Sequence, residues 1–177
     1  MSLTDVQRFR RSFRGLAGSV SIVLASDGSG GVRGVTCTSA VSLSLDPPMV
    51  VVCFDDRTRM KELLELATTF SINFLASSYE PVARAFASGG QILKIAPQIV
   101  SGRTGVPTLS SGTVSVLECR VAGIHPGGDH WIVSAHVQHS RFQADQDPLL
   151  YRAGRFGVFS LPSETSPGHA QPIGRPK

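Results

Sequence analysis

The sequence predicts a mainly β fold with a few short helices, in which antiparallel strands form a barrel or a sandwich. Three observations support this prediction. Apolar and polar residues alternate along several short segments, short turns join most of these segments, and helical periodicity is confined to three stretches. Alternation with a period of two is typical of strands with one buried face. Parallel strands need crossovers of about a dozen residues or more, so the short turns disfavour a doubly wound parallel sheet.

The chain begins with the pattern of an amphipathic helix over residues 4–17. Thr4 and Gln7 have the spacing of a capping box, in which two side chains satisfy free backbone amides at the helix start. Apolar residues recur at helical spacing while arginines fall on other faces. The apolar set is Val6, Phe9, Phe13 and Leu16, and the basic set is Arg8, Arg10, Arg11 and Arg14.

Strands of two kinds are predicted next. Residues 19–26 and 32–38 flank a glycine-rich turn and residues 39–45 alternate again, so we expect three strands. Residues 49–54 form a continuous apolar run after two prolines, which predicts a central strand buried on both faces. The later predicted elements are helices at 58–67 and 77–88, strands at 69–75, 113–124 and 130–142, and one further strand within 149–159.

Two segments lack a regular pattern. Residues 88–112 contain several glycines and two prolines, and we predict a long irregular connection there, of the kind that is functional or mobile. The C-terminal residues are rich in Pro, Gly and Ser and have little apolar surface to bury. We therefore predict one domain over residues 1–160 and a disordered tail over 161–177.

Composition and charge exclude several classes of protein. The net charge is +4, but the basic residues are scattered and no nucleic-acid-binding motif accompanies them. Three cysteines without a CxxC pair argue against disulfides and against a zinc site. Because the N-terminus lacks the apolar core of a signal peptide and no apolar run approaches the ~20 residues of a membrane span, we predict a cytoplasmic protein that binds neither nucleic acid nor membrane.

The usual catalytic motifs are missing. There is no GxSxG, GxGxxG or P-loop motif, and the cysteines lie in apolar strands where a thiol stays protonated. His130 and His136 share a strand face without a third ligand, so we predict no metal. Hydroxyl residues instead line the segment 36–44. They either face solvent on an ordinary sheet or present hydrogen-bonding groups to a polycyclic ligand.

Five motifs in order resemble the flavin-reductase-like domain family, the reductase partners of two-component flavin monooxygenases. Residues 34–53 read GVTCTSAVSLSLDPPMVVVC, and residues 70–76 read FSINFLA. Shorter matches are Leu117-Glu118-Cys119, Gly128-Asp129-His130 and PLLYRAGRFG at 148–157. The resemblance extends over residues 9–159.

This resemblance implies a split β-barrel of Greek-key type that works as a homodimer, with FMN or FAD bound near the subunit interface. It implies hydride transfer from NADH or NADPH to the flavin and release of reduced flavin to a partner monooxygenase. In such a reaction the cofactors carry the chemistry and the protein positions them.

The resemblance also implies roles for individual residues. The cofactor-binding set is Thr36, Cys37, Thr38, Ser39, Ser44, Cys53, Arg57, Thr58 and Arg155. Its first four members would border the flavin ring and ribityl chain, and Ser44 would lie near the same chain. Arg57 and Thr58 would approach the phosphate at a helix start, where backbone amides favour an anion. His130, near the nicotinamide, is the implied catalytic residue.

Departures from the family pattern leave alternatives open. Ser19, Asp56, Ile95 and Ala135 stand where the family often has other residues, and the charge of Asp56 would repel a flavin phosphate. One alternative is a flavin-binding protein of this fold without reductase activity, which catalyses its own oxidase- or cyclase-type reaction. Another is a non-catalytic dimer that binds a different cofactor, such as haem.

Overall fold

Twelve strands and three α-helices are found in residues 4–87 and 98–159, which are the residues that the computed structural model describes. The helices are α1 (Asp5–Phe13), α2 (Met60–Ala67) and α3 (Glu80–Ala87). The strands are β1 (Gly18–Ser19), β2 (Ser21–Ser26), β3 (Val32–Cys37), β4 (Val41–Leu45), β5 (Pro48–Asp55), β6 (Thr69–Leu75), β7 (Ile99–Ser101), β8 (Pro107–Leu109), β9 (Thr113–Pro126), β10 (His130–Phe142), β11 (Leu149–Arg152) and β12 (Arg155–Val158). The predicted tail 161–177 lies outside the described residues.

A seven-stranded sheet dominates the fold, with strand order β3-β2-β6-β9-β10-β5-β4. A smaller sheet has the order β1-β11-β12, and β7 pairs with β8. Every pairing is antiparallel. The antiparallel, mainly β fold with few helices is therefore confirmed.

The large sheet curls until β3 meets β5, and a serine marks the contact. The Ser39 hydroxyl donates to the Cys53 carbonyl at 2.8 Å and accepts from the Cys53 amide at 3.1 Å. Because Ser39 lies two residues after the end of β3, these two bonds hold the end of one edge strand near β5. They close the barrel where no strand ladder joins β3 to β5.

Two apolar clusters pack on opposite sides of β2 and β6. One fills the barrel under α2 and includes Val23, Ile72 and Phe70. The other lies under α3 and includes Ile22 and Leu24. Since successive side chains of a strand point to opposite faces, β2 is buried on both.

The prediction that residues 49–54 are buried on both faces was wrong. Val50, Val52 and Phe54 enter the core, whereas the alternate residues Met49, Val51 and Cys53 are only half-buried. The reason is tertiary, because α3 and β8 cover the outer face of β2 and β6 while no described element covers that of β5. An apolar run shows that both faces avoid water, but it does not show what covers them.

Residues 98–112 are more regular than predicted. They form the β7–β8 hairpin, in which Leu109 is fully buried. Two buried polar side chains of β6 hold β8 in place, since the Ser71 hydroxyl donates to the Pro107 carbonyl at 2.6 Å and the Asn73 side chain accepts from the Leu109 amide at 2.9 Å. The rest of the predicted connection, residues 88–97, lies outside the described residues.

Both ends of the described chain also differ from prediction. The Thr4–Gln7 capping box is confirmed, but α1 ends at Phe13 and none of its residues is buried. Its apolar face is open in the protomer, where Phe9 is 64% exposed. The segment 149–159 holds two strands instead of one, because Ala153 and Gly154 adopt positive φ and reverse the chain. None of the described helices has the length and apolar character that a membrane span requires.

Candidate functional site

A cavity of about 610 Å³ lies between β3, α3 and the β11–β12 hairpin. Its lining residues are Val20, Thr36, Cys37, Thr38, Arg84, Ala87, Tyr151, Gly154 and Phe156. Small-molecule sites generally have volumes of about 300–1,000 Å³, so the cavity can take a ligand of cofactor size. Three of the residues predicted to bind a cofactor lie together here.

One wall of the cavity is aromatic. Tyr151 and Phe156 are opposite each other in the β11–β12 ladder, and their ring centroids are 5.2 Å apart in an edge-to-face arrangement. The Arg84 guanidinium lies 4.7 Å from the Phe156 ring centroid and also pairs with Glu80 at 2.7 Å. A cation held over an aromatic face stiffens that wall, which suits a flat ring system.

The opposite wall carries neutral polar groups. The Thr36 hydroxyl donates to the Ala83 carbonyl at 2.8 Å, so its oxygen keeps lone pairs that can still accept. Burial raises the pKa of the Cys37 thiol, which therefore stays protonated. As β3 is an edge strand, part of its backbone is free to bond a ligand. No carboxylate lines this cavity within the described residues.

Ser39 and Cys53 adjoin the cavity through Cys37. The Cys37 sulfur is 3.1 Å from the Ser39 hydroxyl oxygen and accepts from the Ser39 amide at 3.3 Å. The Ser39 hydroxyl in turn holds the backbone of Cys53. These contacts position the cavity wall on the barrel.

A charged corner forms where β5 meets β10, with His130 opposite Asp55 in the ladder. His130 Nδ1 is 2.7 Å from an Asp129 carboxylate oxygen, and this hydrogen bond lowers the pKa of Asp129. Arg57 Nε donates to Asp55 at 2.9 Å, and hydrogen bonds from Arg57 hold the pKa of Asp55 well below its usual range. The Thr58 hydroxyl donates to the Asp55 carbonyl at 2.7 Å. Arg57 is thus engaged by a carboxylate.

The family of this chain follows from a match to a protein-family model. A family model described as the flavin reductase like domain matches residues 13–160. The chain belongs to the flavin reductase like domain family. The predicted family is therefore confirmed.

Relatives of this flavin reductase like domain carry consistent names. The reductase component of 4-hydroxyphenylacetate 3-monooxygenase from Thermus thermophilus is 32% identical over 145 residues, 82% of this chain and 91% of the relative. An NADH-dependent flavin reductase from a Rhodococcus species is 32% identical over 162 residues, 89% of each chain. The solved structure of the NADH:FAD oxidoreductase SgcE6 from Streptomyces globisporus matches with a TM-score of 0.80 and 30% identity, covering 91% of this chain and 99% of that one.

The predicted site residues fall into five places in this flavin reductase like domain. Thr36, Cys37 and Thr38 line the cavity. Ser39 and Cys53 brace it from the barrel side. The charged corner holds Arg57, Thr58 and His130. Ser44 is half-buried on β4, beside Met49, and Arg155 lines a second cavity.

Among the departures from the family pattern, the structure locates Asp56. Asp56 is exposed in the charged corner, where its carboxylate accepts from Trp131 Nε1 at 2.6 Å, so part of its hydrogen-bonding capacity is used within the chain. Ile95 lies outside the described residues.

Several cavity residues were missed at the level of sequence. Tyr151 and Phe156 stand within the PLLYRAGRFG motif, and their cross-strand pairing follows once that motif is recognised as a hairpin. No sequence motif indicates that Arg84 lines the cavity, because its position there depends on how α3 packs against β3.

Proposed function

We propose that this protein is an NAD(P)H:flavin oxidoreductase that reduces FMN or FAD by hydride transfer. The observation that carries the proposal is the cavity in which the Thr36–Thr38 edge of the barrel faces the Tyr151–Phe156 pair. A planar ring with many acceptors fits between a hydrogen-bonding edge and an aromatic wall. The relatives named as NADH-dependent reductases support NADH as the hydride donor.

The residues of the cavity suit a reaction in which the protein orients two rings. Hydride passes between nicotinamide and flavin without a protein acid or base. The β3 edge binds flavin heteroatoms, and Tyr151 and Phe156 exclude water from the ring face. Because Cys37 is a neutral thiol, it neither adds to the flavin nor places a charge beside it. What the chain supplies is proximity and orientation.

His130 belongs to the proposed site through β5. Cys53 is held by Ser39 beside the cavity, and Asp55 is two residues further along the same strand face, opposite His130. Two residues of a strand span about 6–7 Å, so a dinucleotide in the cavity can reach the charged corner. There the His130 ring contacts the nicotinamide, and Arg57 and Thr58 are the phosphate-binding residues that the family resemblance implies.

The proposed assembly is a cytoplasmic homodimer. Register places Val41, Val51, Cys53 and Ile132 on one outward face of β4, β5 and β10, and Val41 is 56% exposed. A second copy of the chain covers this apolar face, next to His130. A partner monooxygenase takes the reduced flavin, as the name of the Thermus relative indicates for that protein.

The proposal is tested by mixing the purified protein with FMN and NADH in air and following the loss of nicotinamide absorbance, then repeating the assay with FAD and with NADPH. Fast, protein-dependent oxidation in any pairing establishes the reductase and its preferences. Flavin binding without nicotinamide oxidation would instead favour a flavin-dependent reaction of the protein's own. A protein that binds no flavin refutes both, and a haem titration then tests the remaining alternative.

A further inference from the structure

A second cavity, of about 620 Å³, lies against the β11–β12 hairpin. Its lining residues are Arg14, Ala17, Leu150, Arg152, Ala153, Arg155, Phe156, Gly157 and Val158. Three of these nine residues are arginines and none is acidic. The lining of this cavity therefore combines apolar side chains with three positive charges.

The arginines are arranged in a way that costs stability unless an anion is bound. Arg152 and Arg155 are direct cross-strand partners, so their side chains leave the same face of the hairpin. Like charges directly opposite each other destabilise a strand pair. Arg14 of the segment after α1 adds a third charge, and its guanidinium reaches within 3.5 Å of the Ala153 carbonyl at the hairpin turn.

Carboxylates of the described residues do not neutralise this charge. Within residues 4–87 and 98–159, the ion pairs between side chains involve other residues, and none includes Arg14, Arg152 or Arg155. Arg57, assigned to the phosphate from the family resemblance, differs in this respect because it is paired with Asp55. Free guanidinium groups are the better phosphate ligands, since each presents several donors in a planar fork.

The position of this cavity relates it to the flavin site. Tyr151 and Phe156 project from one face of the hairpin toward the first cavity, and Arg152 and Arg155 project from the other. Phe156 lines both cavities. A ligand with a flat ring and a phosphate arm can pass around the hairpin turn at Ala153–Gly154.

We propose that the cavity lined by Arg14, Arg152 and Arg155 binds the phosphate groups of the nucleotide whose ring occupies the Thr36–Tyr151 cavity. This proposal rests on the proposed function, and it moves the phosphate contact from Arg57 to the hairpin. The phosphate belongs either to the flavin or to the nicotinamide dinucleotide, and the two sources are separated by compounds that lack it.

The test compares dissociation constants measured by calorimetry for FMN against riboflavin, and for NADH against reduced nicotinamide riboside, which lacks the phosphates. Wild type, Arg152→Gln, Arg155→Gln, Arg57→Gln and the exposed control Arg120→Gln are titrated in parallel. We expect the two hairpin variants to lose about ten-fold in affinity for the phosphate-bearing member of one pair. Riboflavin or the reduced riboside should bind them as it binds wild type.

The pattern of losses identifies the source. A loss confined to FMN assigns the flavin phosphate, and a loss confined to NADH assigns the pyrophosphate of the dinucleotide. The proposal is overturned if Arg57→Gln shows the loss while the hairpin variants do not, or if the hairpin variants match Arg120→Gln. These binding measurements need no turnover. An absence of reductase activity would therefore refute the proposed function without testing the proposed phosphate site.

Thermal unfolding provides a readout that a structural role of the arginines would not reproduce. Inorganic pyrophosphate should raise the Tm of wild type and of Arg120→Gln but leave that of Arg155→Gln unchanged. Without ligand, Arg155→Gln should be as stable as wild type or more so, because it relieves the cross-strand repulsion. A ligand-free Tm well below wild type, with the pyrophosphate response retained, would show that Arg155 serves the fold.

Discussion

At the scale of single residues, the hydroxyl groups of segment 36–44 have two different functions. The Thr36 hydroxyl donates a hydrogen bond to the Ala83 carbonyl, and the Ser39 hydroxyl donates one to the Cys53 carbonyl. These bonds connect β3 to α3 and the segment after β3 to β5. Thr38 is exposed at the cavity. Thr36 and Ser39 therefore affect a bound ligand by positioning the cavity wall, whereas the exposed Thr38 hydroxyl can contact the ligand directly.

Replacing Ser39 with alanine should lower the free energy of unfolding by about 1–3 kcal/mol, because the amide and carbonyl of Cys53 lose their partner. Urea denaturation of Ser39→Ala measures the effect. Ser42→Ala, an exposed serine on β4, is the matched control and should unfold like wild type. Equal stability of the two variants would contradict the bracing role of Ser39.

Replacing His130 with alanine should raise the KM for NADH several-fold, by about 1 kcal/mol, and should change flavin affinity less. The reason is that His130 lies in the charged corner and not among the residues lining the cavity proposed to bind the flavin. Steady-state kinetics and a flavin titration separate the two effects. Asp129→Asn, which keeps the imidazole but weakens its 2.7 Å partner, should produce a smaller change in the same direction. Unchanged kinetics in His130→Ala would remove this residue from the site.

At the scale of elements, a buried carboxylate connects the β7–β8 hairpin to the barrel. Glu118 on β9 is only 4% exposed. It accepts from the amide of Arg103 at 2.9 Å and from the amide and hydroxyl of Thr104, both at 2.6 Å. Burial raises the pKa of Glu118, but these hydrogen bonds together outweigh burial and lower it below 4.5. The turn between β7 and β8 therefore depends on an ionised side chain.

The substitution Glu118→Gln should lower the free energy of unfolding by about 1–3 kcal/mol at neutral pH. A lowered pKa in the folded state contributes stability above the unfolded pKa, and this stability is lost as pH falls through the folded value. The difference between wild type and variant should therefore shrink below about pH 4.5, the ordinary pKa. Urea denaturation at several pH values measures it, with the exposed Glu62→Gln as control. A difference independent of pH would contradict this account.

At the scale of the whole molecule, one protomer leaves apolar surface open in two places. The outward face of β4, β5 and β10 carries Val41, Val51 and Ile132, and α1 exposes an apolar stripe that includes Phe9. Contiguous exposed apolar surface typically marks an interaction site. The sheet face adjoins Cys53 and His130, so its burial by a second copy would shape the proposed site.

Replacing Val41 with aspartate should convert the proposed dimer to a monomer, because a charge would be buried in the apolar interface. Analytical ultracentrifugation of wild type, Val41→Asp and the neighbouring Ser42→Asp measures the change. The Ser42 variant should remain dimeric, since that residue pairs with Val50 on the opposite face of the strand. A monomeric wild type refutes the homodimer, and dissociation by Phe9→Asp alone would move the interface to α1.

Much of the fold was predictable because each signal was local. The capping box of Thr4 and Gln7, the glycine turn before β3 and the strand over residues 69–75 are predicted from neighbouring residues, and the structure contains each of them. The motifs of the flavin reductase like family were equally local, so they identified the family and part of the cavity. The relatives named as NADH-dependent reductases support the predicted class of activity.

The sequence by itself determined the types of the elements, their antiparallel pairing and the family. Only the tertiary structure decided that β2, and not β5, is covered on both faces, that Arg84 meets Phe156, and that Arg152 stands opposite Arg155 beside Arg14. The physical reason is that periodicity records which side of a strand avoids water. What covers that side, and which distant side chains share a cavity, depends on packing between segments that are far apart in the chain.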